Sequence, residues 1–266
     1  QPITAMIGRG RAQSHAQASF AKEHPDILKI VGVAEPNPVR RENVAQEYQL
    51  PPENVFLGQE LAQQGQLSDA SILSTIDKEH VPTSLLLLEA GYHILLEKPF
   101  GTTKDEMWEL VRAAKEFQKH VAICHALGIH RSMQNLKAVA EGAIGEIINI
   151  QTIEHVSYHH MAVAFVRGKW NNKEACASSM LMAKCCHDLD FIMWMKSGIP
   201  PKRVASFGSL SQFTPHKAPK GARTRCLLDC KIEEQCIYSA RKHYLNHPER
   251  WAMYVWNILE GMNTHL

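Results

Sequence analysis

The stretch His93-Ile94-Leu95-Leu96-Glu97-Lys98-Pro99 is an apolar run that ends in an acid, a base and a proline. Read as a buried strand, it delivers Glu97 and Lys98 at its carboxyl end, and open α/β sheets hold their ligands in the crevice beyond those ends. A surface ion pair closing an ordinary strand is the competing reading, since exposed Lys/Glu neighbours contribute little. The flanking sequence decides between them.

On the amino-terminal side, Ala70 to Thr75 reads as another buried strand, followed by Ile76-Asp77-Lys78-Glu79-His80. A helix from Val81 to Ala90 carries Leu85, Leu86 and Leu88, and Gly91 stops it from the C′ position. On the carboxyl side, Thr102 or Thr103 caps a helix running to about Lys119, with Asp105 and Glu106 in its first turn. Val121 to His125 closes the series.

The chain opens in the same way. Ile3 to Ile7 is an apolar run that breaks at Gly8-Arg9-Gly10-Arg11-Ala12-Gln13, after which Ser14 to Glu23 reads as helix. Strand, glycine turn and helix are the context of a dinucleotide fingerprint: the glycines make the turn and admit the pyrophosphate, whose charge the helix N-terminus stabilises. The third glycine, expected near Gln13, is absent, and a generic strand-to-helix turn fits the same residues. The next strand, Leu28 to Ala34, ends in Glu35, placed to accept hydrogen bonds from ribose hydroxyls and to repel the extra phosphate of NADP. Arg40 and Arg41 pull the other way, because a cation there accepts a 2′-phosphate. Asn43 to Gln49 reads as helix before Pro51-Pro52. Strands alternating with helices at this spacing imply βαβ units and a parallel sheet.

After about residue 123 the pattern changes. A helix near Met133 to Glu141 ends at Gly142, Ile144 to Glu154 reads as a long strand, and Val204 to Phe213 as another. Between them lie an aromatic, histidine-rich run with Tyr158, His159, His160 and Trp170, and a helix capped by Ser178 or Ser179 that runs through Met195 to Gly198. The expected fold class is α/β: a parallel sheet over residues 1–122, then an α+β domain over 123–266 with an open, mostly antiparallel sheet.

At 266 residues two domains are the first expectation. A net charge of +2 gives no one-signed field, so neither nucleic acid nor a membrane surface is an implied partner. No apolar window approaches a bilayer span, and the start, Gln1-Pro2-Ile3-Thr4, lacks the basic-then-apolar form of a signal peptide, so the cytoplasm is the expected location. Seven cysteines, odd in number, point to reduced thiols. Cys226, Cys230 and Cys236 are dense enough for a metal site but lack paired C-x2-C spacing; a fourth ligand would have to come from His216 or His243, and packed thiols are preferred, with no metal assigned.

The ordered set Gly8-x-Gly10, Ala34-Glu35-Pro36, Asp77 with His80, Glu97-Lys98-Pro99, Gly142-x-Ile144-Gly145-Glu146 and His187-Asp188-Leu189-Asp190 resembles the glucose-fructose oxidoreductase / inositol dehydrogenase (Gfo/Idh/MocA) family. The Glu-Lys-Pro motif and the His-Asp-x-Asp helix, about ninety residues apart, are its specific parts. The resemblance implies a Rossmann domain binding NAD, with NADP as the alternative, and a second domain holding a sugar, polyol or related small substrate and often an oligomer interface. It implies cofactor contacts from Gly8, Gly10, Arg11, Glu35, Thr75, His80, Glu97 and Lys98, and a substrate site from Lys98, Tyr158, His160, Lys184 and His187. A homo-oligomer is the expected assembly.

This chain departs from the family in three ways. The glycine loop is tighter and lacks its third glycine. Four residues before His187, where many relatives carry an aspartate, stands Ala183, followed by Lys184. The sequence ends at Leu266, where relatives usually continue, so an incomplete second sheet with an exposed edge is expected.

Hydride transfer from an alcohol leaves a proton to be moved, and histidine titrates near neutrality. His187 is the expected catalytic acid/base, with Asp190 at i+3 fixing its tautomer. Lys98 would stabilise developing oxyanion character. Glu97 either sets the lysine's position or lines the cofactor site, and Lys184 is either a second cation near the substrate or a helix-surface partner of Asp188. Two other readings share this constellation: an NAD-using glycoside hydrolase of the same architecture, and a non-catalytic dinucleotide-binding member.

Overall fold

The computed structural model describes residues 2–8, 12–58, 60–125, 135, 136, 138–143 and 145–247. Its centre is a six-stranded, wholly parallel sheet in the order β3-β2-β1-β4-β5-β6, built from β1 (Ile3–Gly8), β2 (Leu28–Ala34), β3 (Val55–Phe56), β4 (Ala70–Leu73), β5 (His93–Leu96) and β6 (Val121–Ile123). The order reverses between β1 and β4, where doubly wound sheets open a crevice for ligands.

Alternation along the strands sorts two cores. Ala5, Ile30, Val33 and Ile72 pack with Ala18 and Ala21 of α1 (Ala12–Glu23) and Val44 of α2 (Pro38–Glu47). Met6, Leu73, Ile94 and Leu96 point to the other face. There they meet Leu61 of α3 (Glu60–Gln63), Val81, Leu87 and Leu88 of α4 (His80–Glu89), and Leu110 and Ala113 of α5 (Lys104–Glu116). A sheet covered on both faces needs near-continuously apolar strands, which is how β4 and β5 read in the sequence.

Local chemistry sets the element ends. Thr103 and Glu106 form a reciprocal capping box at the start of α5. Gly91 takes φ +96° just past α4, a left-handed conformation that glycine adopts without strain. α2 begins at Pro38 rather than at Asn43, because Asn37 caps it by accepting from the Arg40 N–H and Pro38 suits the first helical turn. The two-residue β3 is too short to leave a period in the sequence.

The second half differs from its sequence reading. Residues 145–156 and 202–211 hold no strand, so among the described residues the expected open antiparallel sheet is not formed. A strand needs neighbours to satisfy its backbone, and no second strand lies alongside either stretch. Their apolar side chains stand in solvent: Ile148 is 87%, Val204 85% and Phe207 97% exposed. Helical turns and loops carry this half instead. A short helix, Tyr158–His160, runs into the π-helical segment Met161–Val166. The principal helix is Met180–Met195, capped by Ser179, whose side chain accepts from the Met182 N–H. The expected helix at Met133–Glu141 lies partly outside the described residues; those described pass into a π-helical turn, Val139–Ala143. No described helix is long and apolar enough to cross a membrane.

Exposed apolar side chains over two extended stretches predict self-association. Light scattering should give a mass above 30.0 kDa that rises with concentration, and Phe207→Ser should lower it. A 30.0 kDa particle at every concentration would mean these side chains are tolerated in water.

Candidate active site

Strand register lines up the site. Gly8 lies opposite both Ala34 and Leu73, Ala34 opposite Phe56, Leu73 opposite Leu96, and Leu96 opposite Ile123. One residue further on, Glu35, Ser74, Glu97 and Cys124 therefore emerge side by side at the carboxyl edge. The remaining loop positions of the fingerprint, Gly10 and Arg11, lie outside the described residues.

At the β2 end Glu35 is buried, and its Oε1 accepts from the Asn37 N–H at 2.8 Å. Its Oε2, equally buried, has no partner among the described residues, and neither do Ser71 Oγ and Thr75 Oγ1 nearby on β4 and just beyond it. Arg41 does not turn toward this acid as a free cation: its Nη1 donates to the Glu35 and Pro36 carbonyls at 2.7 and 3.2 Å. An apolar cavity of about 270 Å³ opens beside these groups, lined by Ala34, Pro36, Leu61, Leu73, Thr75 and Leu87. Unpaired buried acceptors and hydroxyls around a dry slot fit a ligand with one flat apolar ring and adjoining hydroxyls. An adenosine moiety has that form.

At the β5 end Glu97 is held from α1: Gln17 Nε2 donates to its Oε1 at 2.6 Å and reaches Cys124 Sγ at 3.0 Å. Burial raises the Glu97 pKa, against the neighbouring Lys98 charge, and burial followed by the Glu97 charge pushes the Cys124 thiol up to about 12. Lys98, also buried, donates from Nζ to the Ala183 carbonyl in the Met180–Met195 helix at 2.7 Å. Burial draws its pKa down. This contact brings the two sequence motifs together, placing the His187 helix against the end of β5.

His187 occupies an electropositive setting. Burial comes first, then the charges of Lys98, His125 and Lys184, lowering its pKa to about 4 against the opposing pull of Asp190. Its buried Nδ1 has no partner among the described residues. The expected Asp190 to His187 contact is not formed. Asp190 Oδ2 instead lies 3.1 Å from Nδ1 of His125, at the end of β6, an ion-pair approach without hydrogen-bond alignment. Helical i,i+3 spacing brings side chains near one another, but the strand end offers the carboxylate a closer imidazole. Lys184 likewise does not pair with Asp188; its Nζ lies 3.3 Å from Glu154 Oε1. His160 faces the same charges, and burial and Lys184 lower its pKa. Tyr158 turns elsewhere, onto the rings of His159 and His243, and so does not join Lys98 and His187.

His80 is a brace rather than a ligand contact. It has no exposed surface, and its Nδ1 and Nε2 stand 2.5 and 3.1 Å from the carbonyls of Pro99 and Thr75. The ring ties the loop after β4 to the turn after β5.

Beside it lies a group that spacing alone could not reveal. Asp77, 1% exposed, accepts from Lys169 Nζ at 2.9 Å, from Trp170 Nε1 at 2.8 Å and from the Ser178 hydroxyl. Burial pushes its pKa up, but Lys169 and the hydrogen bonds from Ser178 and Trp170 outweigh it and hold the carboxyl below its usual range. The Lys169 and Lys98 ammoniums lie 4.4 and 5.6 Å from the Trp170 ring centre. Among the described residues no cluster of three or more His, Cys, Asp or Glu is placed to hold a metal. All seven cysteines are free thiols, and Cys226 accepts from Arg167 at 3.3 Å.

Residues 4–125 match the oxidoreductase family with an NAD-binding Rossmann fold. Over that stretch, a little under half of the chain, it is similar to the Gfo/Idh/MocA family. It is 29% identical over 140 residues to a 1,5-anhydro-D-fructose reductase from Ensifer adhaerens, covering 52% of this chain and 40% of that protein. It is 26% identical over 127 residues to a glycosyl hydrolase family 109 protein from Shewanella sp. (strain W3-18-1), covering 45% of this chain and 28% of that protein. The WlbA dehydrogenase from Bordetella pertussis, solved with NADH and UDP-GlcNAcA, superposes with a TM-score of 0.61 at 22% identity over 74% of this chain and 57% of that one. The chain thus spans well under two thirds of these relatives.

Asp77 carries a test of the brace. Its folded pKa lies below the unfolded value, so its contribution to stability is full above pH 3.8 and is lost as pH falls through the folded pKa. Asp77→Asn should flatten that acid limb and destabilise at neutral pH by about 3–5 kcal/mol, because Lys169 is left buried without its partner. Urea unfolding across pH measures both; an unchanged acid limb would show that another carboxylate sets it.

Proposed function

We propose that this protein is an NAD-dependent dehydrogenase or reductase acting on a hydroxyl or carbonyl carbon of a sugar, polyol or related small molecule, with Lys98 and His187 as its catalytic pair. The observation that carries the reading is the 2.7 Å bond from Lys98 Nζ to the Ala183 carbonyl, one helical turn before His187. The reductase and WlbA relatives, both associated by name or bound ligand with sugar compounds, support the substrate class.

Residues 1–122 hold the cofactor and 123–266 supply the substrate side. Glu35 Oε2, Ser71 and Thr75 take the adenosine, and the strand ends lead from there toward Glu97 and Lys98. When bound, the nicotinamide supplies the hydride acceptor or donor. Lys98 lies where it stabilises negative charge developing on the substrate oxygen. His187 takes or returns the hydroxyl proton, and with its pKa near 4 it is neutral throughout the physiological range. His160 and Lys184 border the substrate on the other side.

Similarity to a family 109 hydrolase keeps a second reading in play, in which oxidation is transient. Net conversion of NAD to NADH separates the two, since the hydrolytic cycle returns its cofactor.

Two measurements test the proposal. Titration calorimetry should give tighter binding of NAD than of NADP, because Glu35 faces the 2′ position and Arg41 is spent on backbone carbonyls; the reverse order would overturn the assignment of Glu35. In turnover screens with sugars and polyols, His187→Ala should cost about 10²- to 10⁴-fold and Lys98→Met about 10²- to 10³-fold, with NAD affinity nearly intact in the histidine variant. The wild-type acid limb should fall near pH 4 rather than near neutrality. Full activity in His187→Ala would return that residue to a structural role.

A further inference from the structure

The site leaves one arrangement unused. His125 stands between His187 and Asp190: its ring centre is 5.4 Å from that of His187, tilted by 57°, and its Nδ1 is 3.1 Å from Asp190 Oδ2. His187 is half-buried among Lys98, Cys186 and Lys184, whereas the Asp190 side chain is 46% exposed. The set therefore ends on an exposed carboxylate, with the His125 side chain 15% exposed before it. They come from two elements, the end of β6 and the Met180–Met195 helix.

We infer that His125 and Asp190 form the proton path by which His187 exchanges its proton with solvent. The inference rests on the dehydrogenase reading above. When a substrate hydroxyl gives its proton to His187, the imidazolium passes a ring proton to Nε2 of His125. The charged His125 ring turns its Nδ1–H into line with Asp190 Oδ2, 3.1 Å away, and releases that proton to it, and the carboxylic acid gives it to water. His187 and Asp190 end as they began, His125 ends as its other tautomer and a flip of its ring restores it, no electrons move along the chain, and reversing the steps supplies the proton for carbonyl reduction. His125 touches neither cofactor nor substrate in this scheme; it is a positioning and relay residue acting through His187.

The charges facing His187 explain why such an exit is needed. Lys98 from the β5 end, and Lys184 from its own helix, both oppose a positive charge on the ring, whereas Asp190 favours it. A proton that stayed there would be held against two ammoniums. Transfer toward His125 moves it away from Lys98 and next to a carboxylate.

His125→Gln is the informative variant, because the amide still reaches Asp190 but cannot pass a proton on; Asp190→Asn is its companion. In weak buffer, His125→Gln should lower turnover about 10- to 100-fold, a relay step lying at the low end of what acid–base groups contribute. Added imidazole should restore the rate, while NAD affinity stays at the wild-type value. Ring NMR of the NAD-loaded and NAD-free protein provides a readout independent of activity: the His187 signals should shift their titration midpoint in both variants. Unchanged, buffer-independent turnover in His125→Gln would overturn the relay. So would a loss that imidazole does not rescue and that NAD affinity follows, which is the mark of a structural role. If the wild type turns over none of the sugars tested, the dehydrogenase reading fails on its own, and the NMR decides the relay: coupled His125 and His187 titrations retain it, independent ones remove it.

Discussion

A lysine ammonium buried at the end of a strand must find an acceptor or lose its charge, and in this protein the acceptor is a helix carbonyl 85 residues along the chain but 2.7 Å away in space. The Lys98 to Ala183 bond joins the parallel sheet to the helix that carries His187. The proposed chemistry depends on that junction, because Lys98 and His187 come from different halves. An alanine at 183 makes the junction a backbone one: the carbonyl is present whatever the side chain, and it neutralises none of the lysine's charge. The field of Lys98 therefore reaches His187 undiminished by a contacting carboxylate, which is part of why that ring resists protonation.

A second buried charge holds the same junction from the other side. Asp77 follows β4, whereas its three donors, Lys169, Trp170 and Ser178, all belong to the second half. Burying a carboxylate costs more than one partner returns, so the arrangement is stable only because all three donors converge on it. That requirement fixes how the segment before the Met180–Met195 helix lies on the sheet. His80 does the same within the first half, locking the ends of β4 and β5 together through two carbonyls. Lys98 and His187, the pair proposed as catalytic, are thus positioned by buried residues, Asp77 and His80.

Much of the first half was legible in the sequence because its determinants are local. The apolar runs of β2, β4 and β5, the glycine after α4 and the capping threonine of α5 each act within a few residues, and the parallel register follows from the alternation of strand and helix. Glu35, Glu97 and Lys98 could be placed for the same reason: each ends a strand. What escaped the sequence is what depends on distance. The partners of Asp77 lie 92 to 101 residues away, and Gln17 meets Glu97 across 80 residues; no spacing rule links them. Asp190 was misassigned to His187 because helical periodicity counts neighbours on one element only, and the competing imidazole came from β6. The strands expected at Ile144–Glu154 and Val204–Phe213 failed for a related reason. An apolar, extended pattern marks a sequence able to pair, and pairing needs a neighbour that the described residues do not provide.

The same contrast explains how the two ends of the sheet edge differ in chemistry. At the β2 and β4 ends Ser71 and Thr75 line an apolar slot and Glu35 follows its wall residue Ala34, and their buried oxygens without partners among the described residues suit a ligand that brings donors and a flat ring, a recognition problem that a rigid strand edge solves by itself. At β5 and β6 Gln17 is engaged with Glu97 and Cys124 and Lys98 with Ala183, while Nδ1 of His125 and of His187 makes no hydrogen bond among the described residues. A binding site can leave its hydrogen bonds unmade until the ligand arrives, because the ligand completes them. A charged group that stabilises a reacting oxygen cannot, since it must hold its geometry before the reacting molecule enters, and Glu97 and Lys98 are held in that way. In the proposed reading the open end at β2 and β4 takes the nucleotide, and the end where Glu97 and Lys98 are already fixed carries the chemistry.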